Sequence, residues 1–283
     1  MLNYAMDAMW VPWLPVFSGL VLILVRRQRP ALVLLVLGII LGLWMEQLDA
    51  RSLATAAVLL LSAWLVHGSS SVRRNTGWLL FLLTVVALRA HVLPGFNNPL
   101  VLNEQLSAQA PVYRMFLNWD KLLIIVWLVY VWRRIDWSTN PRVVLREGLG
   151  WGMGTVGLCV LIGWSLGVVY WDPKLPQATW VWLLNNLVLV CMGEELLFRG
   201  FIQSGLARAW KGRRGGDNGA LAVAALLFGL AHLPAGTGYA AISVLAGLGY
   251  GLAHRRGGLQ AAVLAHATLN AVHFFLFTYP NVA

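Results

Sequence analysis

Two adjacent glutamates and an arginine lie inside one long apolar run of the chain. Of 11 acidic residues, only Glu194 and Glu195 occupy such a run, V-L-V-C-M-G-E-E-L-L-F-R-G-F, which also contains Arg199. In a membrane each such charge costs about 2.5–3.5 kcal/mol on insertion scales. On a helix Glu195 and Arg199 are four residues apart and can pair. Glu194 is rotated by about 100° from Glu195, which makes it the carboxylate available for chemistry.

Two further apolar runs supply partners for Glu194. His232 ends the run L-L-F-G-L-A-H, and His266 and Asn270 are four residues apart in A-H-A-T-L-N. Residues at that spacing share one face of a helix. We count the helical rise of about 1.5 Å per residue from the ends of the apolar runs. By this count four polar side chains lie in one layer of a membrane, namely Glu194, His232, His266 and Asn270. A carboxylate and a histidine in a dry layer are suited to general-base catalysis.

The order of these motifs resembles the CPBP family of intramembrane proteases. That family includes the CAAX prenyl endopeptidases and bacterial Abi-like relatives linked to bacteriocin processing or immunity. The resemblance covers a motif core of about residues 180–277. It rests on E-E-x-x-x-R at Glu194, Glu195 and Arg199, F-x-x-x-H at Phe228 and His232, H-x-x-x-N at His266 and Asn270, and a Gly-rich segment from Gly247 to Leu259.

The resemblance implies a role for each motif residue. Glu194, helped by His232, would activate a water molecule for attack on a peptide bond. His266 and Asn270 would donate hydrogen bonds to the developing oxyanion. The remaining motif residues, Glu195, Arg199 and Phe228, would support the geometry of the site. The implied substrate is a membrane protein, or a peptide with a lipidated or otherwise recognisable tail.

A metal-dependent mechanism remains as an alternative. Glu194, His232 and His266 are residue types that bind zinc. The chain contains no H-E-x-x-H motif, the usual arrangement of a zinc peptidase on a helix. The sequence therefore favours a glutamate mechanism without metal or other cofactor, with zinc as the one cofactor to test.

Composition places most of the chain in lipid. Hydrophobic residues make up 59% and charged residues 11% of its 283 residues, against about 25% charged residues in soluble domains. The formal net charge of +10 comes from basic clusters between apolar runs. That pattern is typical of cytoplasmic loops and not of a nucleic-acid interface. We therefore expect a lipid bilayer as the surroundings and no nucleic acid partner.

Ten apolar segments predict an all-α, polytopic bundle of about ten transmembrane helices, with a range of eight to ten. Most of the 21 basic residues follow the odd-numbered segments, which puts those loops in the cytoplasm of a bacterial inner membrane and both termini outside. The segments are Trp10 to Val25, Ala31 to Met45, Ser52 to Val66, Trp78 to Leu93, Lys121 to Trp132, Gly150 to Tyr170, Trp180 to Leu206, Ala220 to Leu233, Tyr239 to His254, and Gln260 to Tyr279.

The motifs divide the chain into two regions. Residues 1–149 would form an added N-terminal membrane region of about five helices, and residues 150–283 the protease-like region. The polar stretch from Pro94 to Trp119 separates two segments of the first region, and we interpret it as an outer loop. Two other classes of function remain open. Buried acids and histidines also form proton pathways in transporters, and a non-catalytic scaffold could keep the same fold.

Overall fold

The computed structural model describes residues 9–138 and 140–282, so both predicted outward termini lie outside the described residues. Within them the chain forms nine helices and one two-stranded sheet. The helices are α1 (Trp13–Leu24), α2 (Gln28–Trp44), α3 (Ser52–Val66), α4 (Ser71–Arg89), α5 (119–132), α6 (Pro141–Ser165), α7 (Thr179–Ala209), α8 (Gly216–Leu230) and α9 (Thr237–Leu276), and the strands are β1 (Leu100–Glu104) and β2 (Tyr113–Phe116).

Three of these helices, α6, α7 and α9, are long and apolar enough to cross a membrane among the residues that the structure describes. Four others, α1, α2, α3 and α8, are apolar but have only 10–17 residues. A helix of about 20 residues is needed to span the hydrocarbon region. The all-α class is therefore confirmed, whereas a bundle of about ten full spans is not.

The described residues divide into two compact units, residues 9–101 with 116–133 and residues 102–115 with 134–138 and 140–282. In the first unit α1 packs against α2, and α3 packs against α4. The side chain of Gln47 lies in the core of this unit. Its Oε1 accepts hydrogen bonds from the indole nitrogens of Trp13 at 2.9 Å and Trp119 at 3.2 Å. One amide oxygen therefore satisfies two buried donors.

Replacing Gln47 with leucine should destabilise the first unit. Trp13 and Trp119 are at most 1% exposed, so both indole donors would lose their acceptor. Each buried donor left unsatisfied costs about 1–3 kcal/mol. We expect a lower midpoint of thermal unfolding in detergent, and no change for Gln109→Leu, since Gln109 is exposed. Equal unfolding midpoints for Gln47→Leu and wild type would contradict this account.

In the second unit, α6 and α8 both pack along α9. The close approach of α6 depends on Gly249, because a Cβ atom built there would lie 1.9 Å from Thr155 Oγ1. The Gly-rich segment therefore permits close packing of α6 against α9 at this position. Helix α6 of this unit starts at Pro141, where the Arg142 N–H donates a hydrogen bond to the side chain of Asn140 at 3.0 Å.

Helix α9 is interrupted at Gly258, which separates the predicted ninth and tenth segments. Its φ of 73° and ψ of −172° are not helical, and this region of φ favours glycine. The backbone carbonyl of Asp136 accepts a hydrogen bond from the Leu259 N–H at 2.8 Å. The interruption sets the orientation of residues 259–276, which include His266 and Asn270.

Helix α7 departs from α-helical geometry on both sides of the glutamate pair. It is π-helical over Asn186–Cys191, α-helical over Met192–Glu195 and π-helical again over Leu196–Gln203. π-helical turns in proteins are rare and occur frequently at functional sites. The glutamates therefore lie on a single α-helical turn between two wider stretches.

The stretch from Pro94 to Trp119 is not a plain loop, because it contains β1 and β2. The sequence L-V-L in β1 has the β-branched and aliphatic residues that suit a strand, and Arg114 Nε donates to Asn103 Oδ1 at 3.3 Å across the pair. The loop between the strands is joined to the C-terminal tail by a hydrogen bond from the Tyr279 N–H to Ser107 Oγ at 2.9 Å.

Candidate active site

Glu195 is the centre of a buried charge cluster in the second unit. Its Oε1 accepts hydrogen bonds from Arg199 Nη1 at 2.9 Å and from His266 Nδ1 at 2.8 Å. All three side chains are at most 4% exposed. Arg199 Nη2 also donates to the carbonyl of Gly247 at 2.9 Å. The pairing expected from the four-residue spacing is present, and His266 joins it from α9.

Glu194 is directed to a different partner. Its Oε2 lies 3.9 Å from Nε2 of His232, and the two side chains are 15% and 18% exposed. His232 follows α8, and its Nδ1 is 2.8 Å from the carbonyl of Phe228. Because a carbonyl only accepts, Nδ1 carries the hydrogen. In the neutral ring Nε2 is then an acceptor that faces the Glu194 carboxylate.

Phe228 lies between the two histidines. Its ring centre is 4.6 Å from that of His232 and 5.7 Å from that of His266. The guanidinium carbon of Arg199 lies 4.6 Å from the centre of the same ring, within cation–π range. Phe228 thus contacts the buried cluster at His266 and Arg199. It contacts the Glu194–His232 pair at His232.

The amide of Asn270 bonds to a different residue from Glu195, the carboxylate that binds His266. Its Nδ2 donates to Asn186 Oδ1 at 3.0 Å and approaches Cys191 Sγ at 3.6 Å. Sequence reasoning missed Asn186, although an amide inside an apolar run is itself a signal of a buried polar contact.

Tyr250 is another residue that sequence reasoning missed. Its ring stacks on His266, with centres 4.5 Å apart and an interplanar angle of 14°. Together with the bond to Glu195, this stacking fixes the plane of the imidazole. Tyr250 lies in the Gly-rich segment between Gly249 and Gly251, and no spacing motif of the sequence singles it out.

A cavity of about 60 Å³ lies beside these side chains, between α6, α8 and α9. This volume has room for several water molecules. Its wall is largely aliphatic and aromatic. The polar aromatic and amide residues along it are His232, Tyr239, Tyr250, His266, Asn270 and His273.

The three candidate zinc ligands do not converge. Within residues 9–138 and 140–282, no group of three His, Cys, Asp or Glu side chains is arranged to hold a metal ion. His266 is bonded to Glu195, whereas Glu194 faces His232. His266 uses Nδ1 for its bond to Glu195, so a zinc ion bound by Glu194, His232 and His266 would have to meet its Nε2.

A comparison with protein families finds a match, and it covers the residues of this site. Residues 176–272 match the family model of type II CAAX prenyl endopeptidase, Rce1-like. The matched region contains every motif residue, from Glu194 to Asn270, and it confirms the resemblance to the CPBP intramembrane proteases. No curated protein and no solved structure matches the chain. Residues 176–272 are therefore similar to the CAAX endopeptidases, and three of the described helices are apolar enough for an integral membrane protein.

Proposed function

We propose that this chain is an intramembrane endopeptidase in which Glu194 activates the attacking water without a metal. The observation that carries the proposal is the approach of Glu194 Oε2 to His232 Nε2 at 3.9 Å. Both atoms are hydrogen-bond acceptors when the carboxylate is ionised and the imidazole is neutral. A water molecule can donate one hydrogen to each of them. Its oxygen lone pairs are then directed away from both groups, toward a substrate carbonyl.

His266 would stabilise the oxyanion that this attack creates. Its Nδ1 is bonded to the carboxylate of Glu195, which only accepts hydrogen bonds when ionised. Nε2 can donate to an oxyanion at the same time only if the ring carries both hydrogens. We infer that His266 acts as an imidazolium whose charge Glu195 balances. Glu195 is then a positioning residue that both His266 and Arg199 contact, and these three groups together carry a net charge of +1.

Asn270, on the same cavity wall as His266, would supply a second hydrogen-bond donor for the oxyanion. In its present position Nδ2 donates to Asn186, so donation to an oxyanion requires the second amide hydrogen or a rotation of the side chain. An amide nitrogen carries two donors. One hydrogen can therefore stay on Asn186 while the other meets the substrate.

The substrate class follows from the surroundings of the site. The site lies on apolar helices, so a peptide bond reaches it from within or beside the membrane. We propose a membrane protein, or a peptide with a lipidated or otherwise recognisable tail, as substrate.

The purified full chain should cleave some members of a panel of prenylated and unprenylated tail peptides, with the new carboxyl ends identified by mass spectrometry. Proton flux into proteoliposomes, with no cleavage of any peptide, would indicate a transporter instead.

Chelation should leave this activity intact. A mechanism that uses only Glu194 and His232 needs no Lewis acid to lower the pKa of the attacking water. We therefore expect the same cleavage rate before and after incubation with a strong zinc chelator. Loss of activity, followed by recovery with one equivalent of zinc, would make Glu194, His232 and His266 metal ligands.

Charge distribution supports an orientation in the membrane, with the basic loop after α7 in the cytoplasm. We expect Arg213→Cys to resist an impermeant thiol reagent applied to intact bacterial cells, and Ala108→Cys, in the loop between β1 and β2, to react. Both positions are exposed, and the native Cys159 and Cys191 are buried, so they give little background. Reaction at Arg213→Cys, with no reaction at Ala108→Cys, would mean that the orientation is opposite to the one we propose.

A further inference from the structure

A second polar site lies where α7 ends, α8 begins and α9 is interrupted. It is an open pocket of about 960 Å³, and it shares no residue with the cavity of the candidate active site. Four basic side chains line it: Arg208, Lys211, Arg255 and Arg256. Arg255 is held by a hydrogen bond from Nη1 to Asn218 Oδ1 at 3.0 Å. The pocket is thus positively charged and partly preorganised.

Two buried polar atoms of this pocket have no hydrogen-bond partner among the described residues. They are Nε2 of His254, which is 6% exposed, and Oε1 of Gln203, which is 3% exposed. Gln203 is oriented by a hydrogen bond from its Nε2 to the carbonyl of Gly251 at 3.1 Å. Buried polar groups in native proteins nearly always have partners. A ligand that offers both an acceptor and a hydroxyl donor would satisfy the two atoms together.

The acidic residues of the pocket do not cancel its positive charge. Asp136 and Asp217 also line it, and the carboxylate of Asp136 accepts a hydrogen bond from Ser204 Oγ at 3.0 Å. Four basic side chains against two acidic ones leave an excess of positive charge. The excess favours an anion over a metal cation as the ligand.

The pocket lies at the ends of apolar helices of the same unit. Arg256 stacks over the ring of Trp151 on α6, with 4.8 Å from the guanidinium carbon to the ring centre. On the opposite face of α6, Leu145, Leu149 and Met153 are 45–56% exposed, and their four-residue spacing places them together. A basic pocket at the ends of helices with exposed apolar residues lies at the level of lipid headgroups.

We propose that this pocket binds a phosphate group, carried either by an anionic lipid headgroup or by a free phosphate compound. The arginines and Lys211 would pair with the phosphate oxygens through charge-assisted hydrogen bonds. His254 Nε2 would donate to a phosphate oxygen, and Gln203 Oε1 would accept from a hydroxyl of the ligand. This site is independent of peptide cleavage, so its test uses binding alone.

Native mass spectrometry of the full chain, released from micelles containing equal amounts of phosphatidylglycerol and phosphatidylcholine, measures this binding. Wild type should retain phosphatidylglycerol preferentially. Lys211→Gln with Arg255→Gln removes two charges from exposed side chains of the pocket, and should weaken retention about tenfold or more. The matched control, Arg29→Gln with Arg142→Gln, removes two exposed charges elsewhere and should bind as wild type does.

Addition of millimolar inorganic phosphate distinguishes the two sources of the ligand. Displacement of phosphatidylglycerol by phosphate would mean that the pocket recognises the phosphate group itself, whereas unchanged retention would mean that it requires the lipid. Either result supports the proposal when the pocket variant has lost the preference. Equal retention by the pocket variant and the control, or no preference for phosphatidylglycerol in wild type and no effect of phosphate, would overturn it and leave only water on His254 and Gln203.

Discussion

Replacing Glu194 with glutamine is expected to slow peptide cleavage by a factor of about a hundred or more, as loss of general-base catalysis does. Glutamine keeps the volume of the side chain and can still form hydrogen bonds, but it cannot take a proton from water. Glu194 lies outside the Glu195–Arg199–His266 cluster and is 15% exposed. The substitution should therefore leave the yield and the midpoint of thermal unfolding close to those of wild type.

The matched control is Glu104→Gln, which makes the same chemical change on an exposed residue of β1. This variant should cleave at the wild-type rate. Cleavage rates are compared per folded molecule, with the same peptide and in the same detergent. A Glu194→Gln protein that cleaves normally would remove Glu194 from the role of general base.

The second large effect is a loss of stability in Glu195→Gln. This substitution removes the charge that balances Arg199, which is 0% exposed. Breaking a buried ion pair from one side costs about 3–5 kcal/mol, since the remaining charge stays buried. We expect a low yield and a clearly lower midpoint of thermal unfolding. The folded fraction should also cleave more slowly, because His266 loses the carboxylate that orients its ring.

A double substitution separates the charge effect from the loss of shape. Glu195→Gln combined with Arg199→Met removes both charges and should recover part of the lost stability. It should not recover cleavage, since His266 still lacks its carboxylate. If instead Glu195→Gln proved as stable as wild type but inactive, while Glu194→Gln stayed active, the roles that we propose for the two carboxylates would be interchanged.

Sequence reasoning succeeded where one helix determines the contact. The pair of Glu195 and Arg199 follows from a spacing of four residues, and the structure contains it at 2.9 Å. The apolar segments likewise predicted where helices lie, since every predicted segment overlaps a helix of the structure. Periodicity along a chain determines which residues share a face, and this requires no knowledge of neighbouring helices.

It placed His232 beside Glu194 but failed for other contacts that join different helices. His266 and Asn270 share a face of α9, yet His266 bonds to Glu195 and Asn270 to Asn186. Which side chain of α7 meets each of them depends on the rotation of residues 259–276 after Gly258 and on the π-helical turns of α7. Neither of these has a periodic signal in the sequence. The strands β1 and β2 were missed because five and four residues carry little pattern.

The π-helical turns of α7 make the length of this helix part of its chemistry. A π turn holds about one residue more than an α turn, so a return of Leu196–Gln203 to α-helical hydrogen bonding could absorb a deletion of one residue. An insertion of one residue into this already widened stretch would instead turn every residue beyond it by roughly a quarter of a turn around the helix axis. Gln203 would then be carried away from Gly251, its partner on α9, although no side chain of the site had been altered. Insertions here should therefore disturb the contact between α7 and α9 more than single deletions do.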